Sequence, residues 1–573
     1  MDVILPWEQF SNWVHCICVL TFDLEIGQAL EAIFPPNASL TETERSNICY
    51  LSFPDSNSGC MGDTTFHFRI RKTGGASAQK LQSRKMMENY NRECAYAFQA
   101  DPNYYFGFVY FRQVRDKSIP RGYFQKSVVL LTHLPLTNLF DCVIRLIAPE
   151  YFENGEPGIE AACHNIEQWP SPIPGVILNL PLMGNVARVR LPSRFDTNGS
   201  PEHVPIIDRD GSSFTSTKVL PIVQEGNLYE NLLPVAAHIH LLWELVLLAE
   251  PLAVMATSPT ACSSIVQSLV SLIWPLRYCV DYRPFFTIHD SEFKEYSSKP
   301  HSAPNVMLGV TNPFFAKALE NWPHVLRFSD NPSASATPNG SPSVSAKLKK
   351  GRELRTIDQK PGIYSRYKAY LNRDKGLLKR LMKGMQSKRP IEAQSQLIRR
   401  HFLELTQSLI IPLERFIASQ MPLKRHISPF KSAPKVRDFD VEEFLSTLEA
   451  AGPHLTSTVK GDWIGLYKQF VRCPNFVGWY RQRQSEVNHQ LQLLHLEVLC
   501  SSEVKEALST KQEVEIVDFA LKLRESLAFA ETYADSVRPE WMSKLKAHYE
   551  TVLESLREDL RMVLVSKHVA ASA

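Results

Sequence analysis

Residues 328–346, FSDNPSASATPNGSPSVSA, are a low-complexity break that cannot bury enough apolar surface to order itself. Directly after it the charge changes. From Lys347 to Arg389 there are fifteen Lys and Arg against Glu353, Asp358 and Asp374, a net of +12. The remaining 48 Lys and Arg face 57 Asp and Glu, so the rest of the chain carries −9. The near-neutral total therefore conceals a basic middle. The chain's 573 residues call for several domains, since single cores stop growing well below this length and roughly 150 residues per domain is typical. Hydrophobic residues at 44% and charged residues at 21% exclude wholesale disorder, a collagen-like chain and a coiled-coil rod.

Before the break the patterns are those of strands followed by helices. WVHCICVLTF, residues 13–22, is apolar on both faces, as in a central strand. In HFRIRK, Phe66, Phe68 and Ile70 alternate with His67, Arg69 and Arg71, which predicts a half-buried strand with a basic outer face. YYFGFVYF and GYFQKSVVLL flank VRDKSIPR as two strands around a long hairpin loop. TNLFDCVIRLIAPE has helical spacing, with Thr137 or Asn138 as its N-cap. Residues 153–215, rich in Pro, Gly and Ser, read as an irregular linker with one short strand in GVILNLPL. A buried helix in NLLPVAAHIHLLWELVLLAEP, the segment SSIVQSLVSLIWPL and the run YCVDYRPFFTI then suggest an α/β layer over 217–328.

Beyond 390 the pattern is helical. Ile398, Phe402, Leu405, Leu409, Leu413, Phe416 and Ile417 form one stripe, interrupted chemically by Pro412. Thr510 and Glu513 fit a capping box, and a last helix after Pro539 carries Trp541, Leu545, Val552, Leu556, Leu560 and Val563 on one side.

Eleven scattered cysteines without a CxxC point to a reducing compartment. Cys16 and Cys18 share one face of a strand, as a metal pair or, the blander reading, as small buried hydrophobes. The N-terminus lacks the basic and small-residue features of a secretory signal, so the triplets at Asn37 and Asn198 are expected to be idle. HLLWELVLLAEPLAVMA contains Glu244, Glu250 and Pro251 and cannot span a bilayer, so no transmembrane segment is expected.

No P-loop, HExxH, GxSxG or kinase set occurs, and the residues themselves predict no covalent chemistry, cofactor or metal. His238 and His240 read as ordinary helix histidines, with Glu244 one turn on. The basic run reads either as a solvated linker and helix face or as a contact for an acidic partner or anionic membrane through Lys347, Lys349, Lys350, Arg352 and Arg355. Tyr364, Tyr367 and Tyr370 interleave with Arg366 and Lys368, but no nucleic-acid fold motif accompanies them, and nucleic acid is not an expected partner.

Taken together, several segments resemble the DENN domain-containing protein 6 family, with the B-type branch favoured. They are CVLTFDLEIGQALEAIFPP, LTETERSNICYLSFPDS, YYFGFVYFRQVRDKSIPRGYFQKSVVLLTHLP, SLIWPLRYCVDYRPFFTIHDSEF, VMLGVTNPFF, RRHFLELTQSLIIPLERFIASQMPL and TSTVKGDWIGLYKQFVRCPNFVGWY. The resemblance implies an α/β chain of tripartite DENN architecture. A longin-like sheet domain would occupy 13–190, a central α/β module 217–345, a downstream all-helical module 347–475, and C-terminal helices 480–573. It also implies guanine-nucleotide exchange on a Rab small GTPase, with a cytoplasmic protein recruited to recycling endosomes. No family catalytic residue transfers, because exchange is spread over a surface. Within the central module Tyr282, Arg283, Phe285, Phe286, Asp290 and Asn312 are the expected GTPase contacts, with core packing the competing reading of Phe285 and Phe286. Two alternatives stand beside exchange. One is a GTPase-activating protein using Arg115 or Arg121 as an arginine finger. The other is a non-catalytic endosomal scaffold or Rab effector with a basic membrane contact.

Overall fold

The computed structural model describes residues 6–571 except 24, 26, 56–60, 75–80, 119–121, 195–226, 298–302, 329–360, 450–451, 454–458, 510 and 535–536. It comprises two compact units, residues 1–409 with 449–476, and residues 410–448 with 477–573. The architecture is α/β, with an antiparallel sheet domain, a central α/β region and helical C-terminal segments.

Strands β1 (Cys16–Asp23), β2 (Gly27–Phe34), β3 (Gly62–Arg71), β4 (Tyr104–Arg115) and β5 (Tyr123–Thr132) form an antiparallel sheet in the order β2-β1-β5-β4-β3. The period-2 alternation of β4 explains its position. Tyr105, Val109 and Phe111 join Phe66, Phe68 and Ile70 in one core, which the helix Glu42–Leu51 closes with Ile48 and Leu51. On the opposite face Phe108 and Tyr110 meet Phe140 and Phe152 of the helix Thr137–Asn154. Cys16 and Cys18 lie buried with their sulfurs 3.8 Å apart, and burial raises the Cys16 thiol, so they pack as hydrophobes.

Residues 153–190 are more regular than the Pro and Gly content predicts. A second helix, Glu156–Glu167, precedes a hairpin of β6 (Ile177–Leu182) and β7 (Asn185–Arg190). Its two-residue turn, Met183-Gly184, has positive φ at both positions, the twist that tight hairpins favour.

The second sheet has the order β12-β11-β8-β10-β9. Here β8 is Leu252–Met255, β9 Asp281–Arg283, β10 Val306–Val310 and β11 His324–Arg327, all parallel, and β12 (Gly362–Ser365) is antiparallel on β11. The sheet therefore extends across the low-complexity break. Parallel strands need both faces covered, and β8 and β10 are buried throughout. The helix Ile239–Leu247 is also entirely buried. His240 and Glu244 accordingly form neither a surface pair nor a dyad. The Glu244 carboxylate accepts hydrogen bonds from the Tyr367 hydroxyl and from the amides of Tyr370 and Leu371 at 2.8–2.9 Å. Tyr364 is buried in β12, and Tyr367 and Tyr370 are bonded to Glu244, so this stretch of chain is anchored to the unit.

The helix Ile391–Ser419 buries the whole expected stripe from Ile398 to Ile417. In the second unit Leu496, Phe519, Leu523, Leu545, Val552 and Leu556 form a separate core. The helix Glu513–Thr532 opens on a capping box of Gln512 with Glu515, while Thr510 of the expected pair lies outside the described residues. The final stripe breaks after Leu556, because Pro539–Glu554 and Glu558–Ala571 are separate helices and Val563 is exposed. No described helix is long and apolar enough to cross a membrane.

Two stability predictions follow from packing. A Cβ on Gly309 would overlap the Pro284 carbonyl oxygen and lie 2.8 Å from the Cys262 sulfur. Gly309→Ala should therefore destabilise the first unit by roughly 1–3 kcal/mol, read from the urea midpoint. Burial pushes the imidazoles of His15, His67 and His133 down to about 4. Unfolded histidines near 6.5 bind protons that these buried rings refuse, so stability should fall as pH drops from 6.5 towards 4. Urea midpoints at steps of pH would check this, and His133→Phe should flatten the slope.

Candidate functional site

The sequence YCVDYRPFFTIHDSEF places a short polar strand, β9, at the edge of the second sheet, against the edge of the first. Arg283 is fully buried there. Its guanidinium donates to Asp281 at 2.9–3.1 Å, to the Arg69 carbonyl at 3.3 Å and to Glu292. Arg69, on β3, donates to Asp281 at 2.8 Å, and Arg71 reaches Asp281 at 3.3 Å and Glu292 at 2.7 Å. The Tyr296 hydroxyl adds a bond to Asp281 at 3.0 Å. Burial by itself would raise Asp281, but Arg283 and Arg69 outweigh it and hold the carboxyl below the ordinary carboxylate range. The Arg69 guanidinium lies 3.4 Å from the Tyr104 ring centroid and 4.4 Å from that of Tyr282. The supposed basic outer face of HFRIRK is thus an internal face. His67 and Arg69 are buried, and only Arg71 keeps substantial exposure.

Most of the central residues expected as GTPase contacts are packed inside the unit. Tyr282 lies beneath Arg69, and Arg283 is locked in the ion-pair network. Phe285 packs edge-on to Phe66 at 5.2 Å, and Phe286 lies between Tyr296 and Phe315. Asp290 is buried and accepts the Glu292 amide, and burial pushes its carboxyl up. These side chains have no face to offer a partner in this conformation; they fix the loops around them. Asn312 is half-buried, and its Oδ1 accepts the Phe314 amide at 2.9 Å. That bond shapes a turn which presents Phe314 with 51% of its surface exposed. The sequence reading missed Phe314, although it sits beside Phe315 in the quoted segment. The signal was available in N-P-F-F, where the Asn side chain turns the chain and only one of two adjacent aromatics can face the core.

Phe314 lies three residues after Thr311 and 6.5 Å from the Phe293 ring, on loops that bond to the first sheet domain. Tyr50 stacks on His289 at 4.9 Å, and Asn47 exchanges hydrogen bonds with Ser291 at 3.0 and 3.1 Å. The Thr311 hydroxyl donates to Asp55 at 2.6 Å, so the loop after the helix Glu42–Leu51 is bound to the end of β10. His289, Lys294, Pro313 and Phe314 are exposed, with Arg45 on the neighbouring helix. These exposed residues offer aromatic and cationic anchors on loops held by the bonds above. Among the described residues no group of three or more His, Cys, Asp or Glu is placed to hold a metal ion. Arg115 is exposed at the end of β4. Arg121 and the expected membrane contacts Lys347, Lys349, Lys350, Arg352 and Arg355 lie outside the described residues.

Comparison with known proteins agrees with the fold. The family model of the DENND6 C-terminal domain matches residues 504–567. Protein DENND6A of Mus musculus is 50% identical over 562 residues, 98% of this chain and 91% of the relative. Protein DENND6B of Homo sapiens is 50% identical over 560 residues, 98% of this chain and 94% of the relative. The Dictyostelium discoideum protein named DENND6 homolog is 32% identical over 606 residues, 95% of this chain and 80% of the relative. The A-type and B-type relatives are equally similar, so identity does not select the B-type branch. With likeness of this extent from end to end, the chain belongs to the DENND6 family.

Proposed function

We propose that this protein is a guanine-nucleotide exchange factor for a Rab small GTPase, acting in endosomal recycling traffic, and that the surface around Phe314 receives the GTPase. Membership of a DENN family supports the class of activity. The single structural observation that supports the site is the exposed Phe314, held by Asn312 on loops that are bonded to both sheets. Exchange needs no bond to be made or broken in this chain. It requires that the GTPase be bound more tightly without nucleotide than with it, and linkage then weakens nucleotide by the same factor. A ~10⁴-fold weakening corresponds to about 5.5 kcal/mol of differential binding, which a few aromatic and cationic anchors supply. A rigid surface serves this well, because it can hold the GTPase switch segments in a conformation that nucleotide and Mg²⁺ do not favour.

Recruitment to the endosome belongs to the same reading. The helix Lys375–Gln386 buries Leu377 and Leu381 and exposes Lys375, Lys379, Arg380 and Lys383. Each such cation contributes about 1 kcal/mol of attraction near an anionic lipid surface.

The test is release of a fluorescent GDP analogue from a panel of purified Rab proteins under excess GTP. Acceleration for one or a few of them is expected, and none for any folded Rab, in solution or on liposomes, would end the exchange reading. Phe314→Ala should slow release at least tenfold with an unchanged urea midpoint, as befits a half-exposed anchor whose loss costs binding rather than folding. With the Rab supplied on anionic liposomes, the double change Lys379→Glu and Lys383→Glu should lower the rate there and leave the rate in solution intact. Equal loss in both settings would place the basic helix in GTPase binding instead.

A further inference from the structure

The helices Ile391–Ser419 and Val441–Ser446 are joined by residues 420–440, whose only regular element is the single turn Lys424–His426. Connections longer than about 12–15 residues without secondary structure are uncommon in compact units, and those that are packed in place are usually functional. This one is fastened along its length. Ile427 and Val436 are buried, and the Phe430 ring lies 5.1 Å from that of Phe519. The helix Pro474–Cys500 holds the backbone at three points. His495 Nε2 donates to the Lys431 carbonyl at 2.9 Å, the Tyr480 hydroxyl donates to the Arg437 carbonyl at 3.3 Å, and Asn488 Oδ1 accepts the Val436 amide at 3.0 Å. All of these groups belong to the second unit.

With its apolar side chains packed inward, the loop presents cations outward. Lys424, Arg425, His426, Lys431, Lys435 and Arg437 are exposed. From Arg415 to Arg437 the sequence carries six Lys and Arg and no Asp or Glu. Lys424 pairs with Glu497 at 2.8 Å, whereas Arg425, Lys431, Lys435 and Arg437 have no carboxylate partner among the described residues. The cationic stretch ends at the exposed Asp438 and Asp440. Cations left unneutralised on a fixed support are complementary to an anionic surface outside the unit.

Leu423 decides the kind of surface. It is 55% exposed, directly before the Lys-Arg-His turn, with Met421 and Pro422 half-buried ahead of it. An aliphatic side chain flanked by cations matches the boundary of a bilayer, where the leucine enters the acyl region and the cations stay among the phosphates. An acidic polypeptide would match the charge but not the leucine.

We propose that the loop 420–437 is a contact for an anionic lipid surface, made through Leu423, Arg425, Lys431 and Lys435. It lies in the second unit, whereas the helix Lys375–Gln386 lies in the first, and it does not depend on exchange activity.

Sedimentation of the full chain with vesicles tests the contact, using phosphatidylcholine alone or with about 30% phosphatidylserine, and soluble polyglutamate as a further probe. The wild-type chain should bind the anionic vesicles at least tenfold tighter than the neutral ones. Arg425→Glu with Lys431→Glu should weaken that binding at least tenfold at an unchanged melting temperature, because both side chains are exposed. Lys544→Glu with Lys546→Glu, the same change in net charge at exposed positions elsewhere in the unit, should have little effect. Leu423→Ser should weaken vesicle binding about fivefold and leave the affinity for polyglutamate as it was. No binding of the wild-type chain to anionic vesicles overturns the proposal, and so does unchanged affinity in the charge-reversed loop. Equal loss in the Lys544 and Lys546 variant would mean net charge only. Binding indifferent to Leu423 would leave an acidic polypeptide as the partner, and either result also overturns it.

Discussion

Arg69 and Arg283 enclosing Asp281 are the contact on which the rest of the first unit depends. Moving these ions out of water costs several kcal/mol each, and only near-complete pairing recovers it. Here pairing is dense: Asp281 receives both arginines, Arg71 and the Tyr296 hydroxyl, while Glu292 receives Arg283 and Arg71. A network of this kind is a poor source of net stability compared with a hydrophobic contact of equal volume. Its contribution is geometric, because a shift of one residue along β3 would leave buried charges uncompensated. We regard the fixed register of the two sheets as its consequence.

The same contact solves the problem of an exposed strand edge. β3 is the outer strand of its sheet, and an unpaired edge invites pairing with another chain. Instead the helix Pro259–Ser271 lies beside it, with the Thr260 hydroxyl donating to the Thr65 carbonyl at 2.7 Å. β9 approaches further along, through Arg69. Asn47, Asp55 and Tyr50 bind the loops that follow β9 and β10. The exposed aromatic at 314 is thus carried by loops anchored on two sheets at once, which is the condition for spending binding energy on a partner's conformation rather than on the protein's own ordering.

Much of the fold was legible in the sequence because its signals are local. Continuous apolarity marked β1, alternation marked β3, two apolar runs around a hairpin loop marked β4 and β5, and 3.6-residue spacing marked the stripe from Ile398 to Ile417. The hairpin at 177–190 was obscured by the Pro and Gly content around it, although Met183-Gly184 needs only one glycine to turn. The site was harder for a physical reason. Arg69 and Arg283 looked like surface cations because each is charged, and their neutralising partner, Asp281, is distant in sequence from Arg69. Charges that complement one another within a chain and charges that complement a second molecule have the same composition. What separates them is distance in space, and sequence alone does not supply it. Phe285 and Phe286 raise the same ambiguity for aromatics, and there the bland alternative, core packing, is what the structure contains.

The basic run carries the same ambiguity, and the fold divides it. Its tyrosines are not free rings among cations: Tyr364 is a core residue of β12, and Tyr367 is tied to Glu244. Glu244 remains buried with burial raising its carboxyl, yet three donors from residues 367–371 converge on it. The chain is therefore secured to the helix Ile239–Leu247 immediately before Asp374 caps the helix Lys375–Gln386 through the Gly376 amide. That helix then turns two leucines inward and its lysines to solvent. Four of the nine cations in the described part of the run, Lys375, Lys379, Arg380 and Lys383, are consequently gathered on one helix that follows an edge strand. A face fixed to the body of the protein can orient it on an anionic surface, whereas the same charges on a free linker would only tether it.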